Sequence, residues 1–253
     1  MKTLPPDQLT RIISVLDLTS LDDDDDEARI EALCAQACTP YGSPAALCIQ
    51  RRFLPLAHRC LSQAGLRPQV RLASVANFPD GASDARCAVR DIEAALDQGA
   101  DEVDLVMPWR ALLQGDASLA AQLVQACRRA ASGKTLKVIL ESGELQSDVL
   151  VRQATRIAID AGADFIKTST GKASVHATPQ AARVMLHTLA QHNPGCGFKA
   201  AGGIREPAQA QHYLHLAASI LGPAWPTPER FRLGASSLLA RLIHPDQADP
   251  SGY

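Results

Sequence analysis

Two lysines stand where an apolar run meets a glycine-rich turn: Lys167 in DFIKTSTGK (164–172) and Lys199 in GFKAAGG (197–203). Phe165 and Ile166 precede the first, and Phe198 and Ala200-Ala201 flank the second, so both amines are expected in apolar surroundings. Loss of water and a neighbouring cation each lower a lysine pKa, and a neutral amine attacks a carbonyl carbon to form a Schiff base. At its usual value of about 10.4 a lysine is neutral only about once in a few thousand molecules near neutral pH. A second ammonium about 4 Å away, at an effective dielectric of about 20, opposes the charge by about 4 kcal/mol, enough to bring the amine into the neutral range. The pair therefore predicts carbonyl chemistry. The structural alternative is a buried salt bridge between one lysine and Asp104.

Such amines need strands to hold them. Short β-rich runs recur about every 30 residues: ISVLDLT (13–19), AALCI (45–49), RLASVANF (71–78), EVDLVMP (102–108), LKVILES (136–142), FIKTS (165–169), GFKAAGG (197–203) and FRLGASS (231–237). Between them, apolar residues fall at helical spacing, as in Ala85, Val89, Ile92, Ala95 and Leu96. Eight strand–helix units in series predict a (β/α)8 TIM barrel over residues 1–243, with an open doubly wound sheet as the alternative. A polar tail, 244–253, ends in Tyr253. Barrel active sites lie at one face, at the strand ends and the loops after them. Asp17, Cys48, Asn77, Asp104, Glu141, Lys167, Thr170 and Lys199 are the polar candidates inside apolar strands. Asp104 suits proton transfer to and from a substrate hydroxyl, whereas Cys48 reads first as a buried filler.

Three turns point to an anion. Gly171-Lys172 follows strand 6, Gly202-Gly203 closes strand 7, and Gly234-Ala235-Ser236-Ser237 closes strand 8, with Arg205 nearby. Barrels commonly bind phosphate with the loops after strands 7 and 8 and a helix N-terminus; plain turns and helix caps are the alternative. The chain of 253 residues carries a net charge of −2, which argues against general affinity for nucleic acid or an anionic membrane. No apolar run approaches a membrane span, and the opening MKTLPPDQLTR lacks a long apolar stretch, so a cytoplasmic protein is expected. Seven cysteines are scattered without zinc-type pairing with histidine, so they read as buried small hydrophobes and no metal or cofactor site is expected from them. The run Asp22–Asp26 precedes the helical pattern ARIEALCAQA, where carboxylates favour a helix N-terminus.

Taken in order, LDLT (16–19), ANFPDG (76–81), GADEVDLVMP (99–108), LKVILESGEL (136–145), AGADFIKTSTGK (161–172), GFKAAGGIR (197–205) and FRLGASSLL (231–239) resemble the deoxyribose-phosphate aldolases, the DeoC family of class I aldolases. The resemblance runs nearly end to end. It implies reversible cleavage of 2-deoxy-D-ribose 5-phosphate, a phosphorylated sugar, to acetaldehyde and D-glyceraldehyde 3-phosphate in deoxyribonucleoside catabolism, without a metal, and a homodimer. By motif it places the Schiff base on Lys167, its perturbing cation on Lys199 and proton transfer on Asp104. Gly171, Lys172, Gly202, Gly203, Ser236 and Ser237 match the phosphate site, Asp17 and Thr170 the polar positions that support the lysines and substrate hydroxyls. Tyr253 matches a tail tyrosine that in some members assists proton transfer. Ser142 and Ala200 depart from residues common in the family but keep local size, so the implied chemistry is expected to survive them; His176 stands where some members carry asparagine and is expected to alter substrate affinity without being catalytic. The rivals are another phosphate-binding barrel enzyme and a catalytically silent sugar-phosphate sensor.

Overall fold

Proline fixes φ and lacks an amide proton, which suits the first turn of a helix. In the computed structural model, which describes residues 4–244, Pro6 opens α1 (Pro6–Ser14), and Leu9, Ile12 and Ile13 bury one face of it. This helix takes up Ile13 and Ser14, which the sequence pattern assigns to the first strand, so β1 is Leu16–Ser20. The remaining strands are β2 (Ala46–Ile49), β3 (Arg71–Ala76), β4 (Glu102–Val106), β5 (Thr135–Ile139), β6 (Phe165–Lys167), β7 (Gly197–Ala201) and β8 (Phe231–Ala235). They form a closed barrel in sequence order, every neighbouring pair parallel, with β8 returning to β1. The fold is the expected (β/α)8 barrel.

The outer layer comprises α2 (Glu27–Gln36), α3 (Leu54–Gln63), α4 (Ala85–Asp97), α5 (Trp109–Leu113), α6 (Ala117–Ala130), α7 (Asp148–Asp160), α8 (Pro179–His192), α9 (Pro207–Leu221) and α10 (Leu238–Ile243). Alternate strand residues such as Leu16, Leu18, Leu136, Val138, Ile166, Phe198 and Leu233 join the helices in one continuous apolar core. Intervening residues point the other way, because successive side chains on a strand face opposite sides. Hence Asp17, Asp104, Lys137, Lys167, Lys199 and Arg232 all enter the barrel interior, where aliphatic layers are usual, and all are buried.

Several strands stop short of their apolar runs. Asn77 (φ 54°), directly after β3, and Glu141 (φ 52°), two residues after β5, leave the extended region and turn the chain into the loops above the strands. The acidic run does more than favour a helix start. Asp26 caps α2 by accepting the Arg29 N–H, and buried Asp25 accepts the Ser20 hydroxyl. Asp22 reaches across to Lys172. Among the described residues no helix is long and apolar enough to cross a membrane.

Candidate active site

Parallel pairing brings the two sequence-predicted lysines side by side, since Lys167 is the register partner of Lys199 across β6 and β7. Both amines donate to one oxygen of Asp104: Lys167 Nζ and Lys199 Nζ each lie 2.8 Å from Oδ2. The two nitrogens can therefore stand no further apart than twice that distance. Lys199 Nζ also donates to Asp17 Oδ2 at 2.5 Å. The salt bridge and the lysine pair, alternatives from sequence, thus coexist on one carboxylate.

Three charged residues that the sequence reading passed over complete the cluster. Lys137 Nζ donates to Asp104 Oδ1 at 2.8 Å and lies 2.6 Å from Glu102 Oε2 and 3.7 Å from Asp17 Oδ2. Arg232 donates to Asp17 Oδ1 at 2.6 Å and grips both oxygens of Glu102, at 2.9 and 3.2 Å. Strand parity carried the missing signal. In EVDLV the alternation that turns Asp104 inward does the same to Glu102, and Lys137 in TLKVI and Arg232 in FRLGA obey the same rule.

Electrostatics separate the two lysines. Burial lowers the Lys167 pKa and Lys199 lowers it further, against the opposing pull of Asp104, so its amine is held below its ordinary value. Burial also works against the charge on Lys199, but Asp104 and Asp17 outweigh it and hold that ammonium above its ordinary value. Lys137 is raised as well, burial again being outweighed by Asp104, Glu102 and Asp17. Desolvation would raise Asp104, yet Lys137, Lys167 and Lys199 hold its carboxyl well below the usual carboxylate range. Asp17 is held low in the same way, chiefly by Lys199 and Arg232. Burial pushes the Cys48 thiol up, and its side chain packs against Leu21, Ala46 and Ala73, which fits the filler reading.

Above this layer opens a cavity of about 180 Å³ whose wall includes Lys167, Thr170, Gly171, Lys172, Gly202, Gly203, Arg205, Gly234 and Ser236. Gly202 (φ 89°) is required twice over. Its backbone conformation suits glycine, and a Cβ there would come within 3.2 Å of the His176 Cβ and 3.3 Å of the Gly171 Cα. Gly234 sits within β8, where a Cβ would come within 3.1 Å of the Lys199 Cε, so this glycine lets Lys199 pass and is less a loop residue than its motif suggests. Thr170 Oγ1 accepts the Lys172 N–H, and the Thr170 N–H is in turn held by both oxygens of Glu141. Ser237 does not join the wall. It is exposed and precedes α10, a helix of only six residues, without capping it through its side chain. Asp17, Asp104 and Lys199 lie beneath the cavity and do not line it. Tyr253 falls outside the described residues. No cluster of potential metal ligands occurs among those described.

Fold and site together define a (β/α)8-barrel protein with a buried lysine of lowered pKa in the wall of a glycine-lined cavity. Residues 11–243 match the model of the DeoC/LacD family of aldolases, and the chain belongs to that family. Among solved structures, a candidate deoxyribose-phosphate aldolase of Toxoplasma gondii ME49 superposes with a TM-score of 0.86 at 23% identity, covering 94% of this chain and 93% of that one. One from Coccidioides immitis gives 0.78 at 25% identity, over 98% and 89%. The deoxyribose phosphate aldolase of Aeropyrum pernix, whose structure is described as tetrameric, gives 0.73 at 23% identity over 94% of both chains.

Proposed function

We propose that this aldolase cleaves 2-deoxy-D-ribose 5-phosphate reversibly to acetaldehyde and D-glyceraldehyde 3-phosphate through a Schiff base on Lys167. One observation carries the reading: Lys167 is the single amine of the buried cluster that reaches the cavity wall, and it is the one whose pKa is lowered. Neutral Lys167 attacks the aldehyde carbon of the open-chain sugar, and water leaves. The iminium then draws electrons from the C2–C3 bond as the C3 hydroxyl gives up its proton. Asp104 is ionised and both its oxygens already accept from the ammonium groups of Lys137 and Lys199, so it takes up that proton by way of a water molecule. Protonation of the enamine and hydrolysis of the imine release acetaldehyde.

The phosphate is assigned to the glycine turns of the same cavity wall, where Gly171, Gly202, Gly203 and Ser236 offer backbone and hydroxyl donors and Lys172 and Arg205 offer charge. The resemblance also supports a homodimer, which sedimentation would measure. Incubation with deoxyribose 5-phosphate tests the reaction: acetaldehyde and glyceraldehyde 3-phosphate should appear in equal amounts, and Lys167→Ala should abolish both while the fold survives. A five-carbon product, or substrate bound and returned unchanged, would favour the isomerase or the sensor instead.

A further inference from the structure

The charged groups around Lys167 come from nearly every strand. β1 gives Asp17, β4 Glu102 and Asp104, β5 Lys137, β7 Lys199 and β8 Arg232, all buried, while β2 presents the Cys48 thiol. From β3 comes only Arg71, exposed at the far mouth of the barrel. Glu141, after β5, bonds the Thr170 N–H and pairs with none of the lysines. Asp22, Lys172, His176 and Arg205 stand at the cavity rim. Within the cluster itself, four basic side chains, Lys137, Lys167, Lys199 and Arg232, meet three carboxylates, Asp17, Glu102 and Asp104.

An uncompensated charge at such depth is costly, and a group that can do so sheds its proton to avoid it. Arg232 cannot release a proton. Lys137 touches all three carboxylates and Lys199 touches two. Lys167 touches only one, sharing a single oxygen with Lys199. The surplus charge is therefore discharged at Lys167. We propose that Arg232 and Glu102 are positioning residues that set the protonation of Lys167 by fixing the number of charges buried beneath it, although neither touches the substrate. Both line a hollow at the opposite, N-terminal end of the strands, away from the cavity that Lys167 opens into. With Arg232 present, three fixed cations neutralise three carboxylates and Lys167, which only shares an Asp104 oxygen, is the amine in surplus. Without it, Lys167 is needed as the third cation and keeps its proton. Without Glu102, the cluster has one positive charge too many and Lys167 loses its proton more readily.

The inference rests on the Schiff-base reading, and one titration distinguishes the two. Trapping of acetaldehyde by borohydride is followed against pH in the full chain, in Arg232→Met, Glu102→Gln, Arg232→Lys and the Arg232→Met/Glu102→Gln double variant, with circular dichroism confirming the fold. The midpoint for Arg232→Met should rise by on the order of one pH unit, the effect of a single charge a few side-chain lengths away at an effective dielectric of about 20. Glu102→Gln should move it in the opposite direction, and Arg232→Lys should leave it in place. The double variant should return close to the wild-type midpoint, since one cation and one anion leave together. A merely structural role would lower the yield at every pH and make the double variant worse. A folded Arg232→Met with the wild-type midpoint, or a double variant that shifts like Arg232→Met, overturns the proposal. Should Arg232→Met not fold, an unmoved midpoint in Glu102→Gln overturns it alone. Failure to trap the wild type at Lys167 removes the Schiff-base reading itself.

Discussion

Lys167 and Lys199 share a carboxylate oxygen, a motif and a register position, yet their environments push their proton affinities apart. Two like charges within six or so ångströms at an effective dielectric of about 20 repel by about 3 kcal/mol. Lys199→Leu should accordingly raise the pH needed for imine formation by about two units; a trapping profile that overlays the wild type would show that its charge does not tune Lys167. A cost in stability follows from the same geometry. A lysine whose folded pKa is lowered is neutral in the fold where the unfolded chain would bind a proton, so it destabilises below about pH 10.4 and ceases to do so above it. Lys167→Met should therefore raise the melting temperature near neutral pH by a few degrees, at about 2–4 °C per kcal/mol, and the gain should vanish at strongly alkaline pH. The two lysines were legible because each stands beside glycines in a recognisable turn. Lys137, Glu102 and Arg232 were not, since each reads as an ordinary strand-edge charge until strand parity is followed inward.

At the level of elements, the loops after β1, β6 and β7 make the cavity, and their mutual contacts decide what it can hold. Lys172 in the loop after β6 pairs with Asp22 in the loop after β1 at 2.9 Å, and both are partly exposed. A phosphate at this wall would compete with Asp22 for the same ammonium. Lys172→Ala should raise KM for deoxyribose 5-phosphate about tenfold, the worth of one charge-assisted hydrogen bond, while leaving turnover of unphosphorylated deoxyribose almost unchanged. Asp22→Asn should do the reverse, lowering that KM by a few fold, because an exposed pair is worth less than about 1 kcal/mol. Equal effects on both sugars would move these residues from the anion to the chemistry. The glycine turns that wall the cavity stood out in the sequence because each follows or closes a strand. The split between Ser236, in the wall, and Ser237, outside it, did not, because it depends on where β8 ends and the short α10 begins.

For the molecule as a whole, an eightfold recurrence of β-rich runs sufficed to anticipate the barrel, whereas α1 escaped notice because its apolar face merges with the first strand in the sequence. Burying a charged cluster where barrels usually stack aliphatic side chains makes the fold sensitive to pH. Asp17 and Asp104 are held below the ordinary carboxylate range, so their stabilisation is complete above the unfolded value of about 3.9 and is lost as the pH falls through and below it. Lys137 and Lys199, held high, contribute fully below about pH 10.4 and lose that contribution only as the pH rises through their folded values. Chemical denaturation across the pH range should thus show a plateau through neutrality and a steep fall below about pH 4. Asp17→Asn should flatten that acid limb; an unchanged limb would place the acid sensitivity elsewhere.

The most direct measurement is borohydride reduction in the presence of acetaldehyde, followed by peptide mass mapping of the full chain. The account predicts one ethyl group, on Lys167, with Lys137 and Lys199 unmodified because their ammoniums are held charged by the carboxylates around them. Label on Lys199 or Lys137, or no label at a pH where the sugar is turned over, would contradict it.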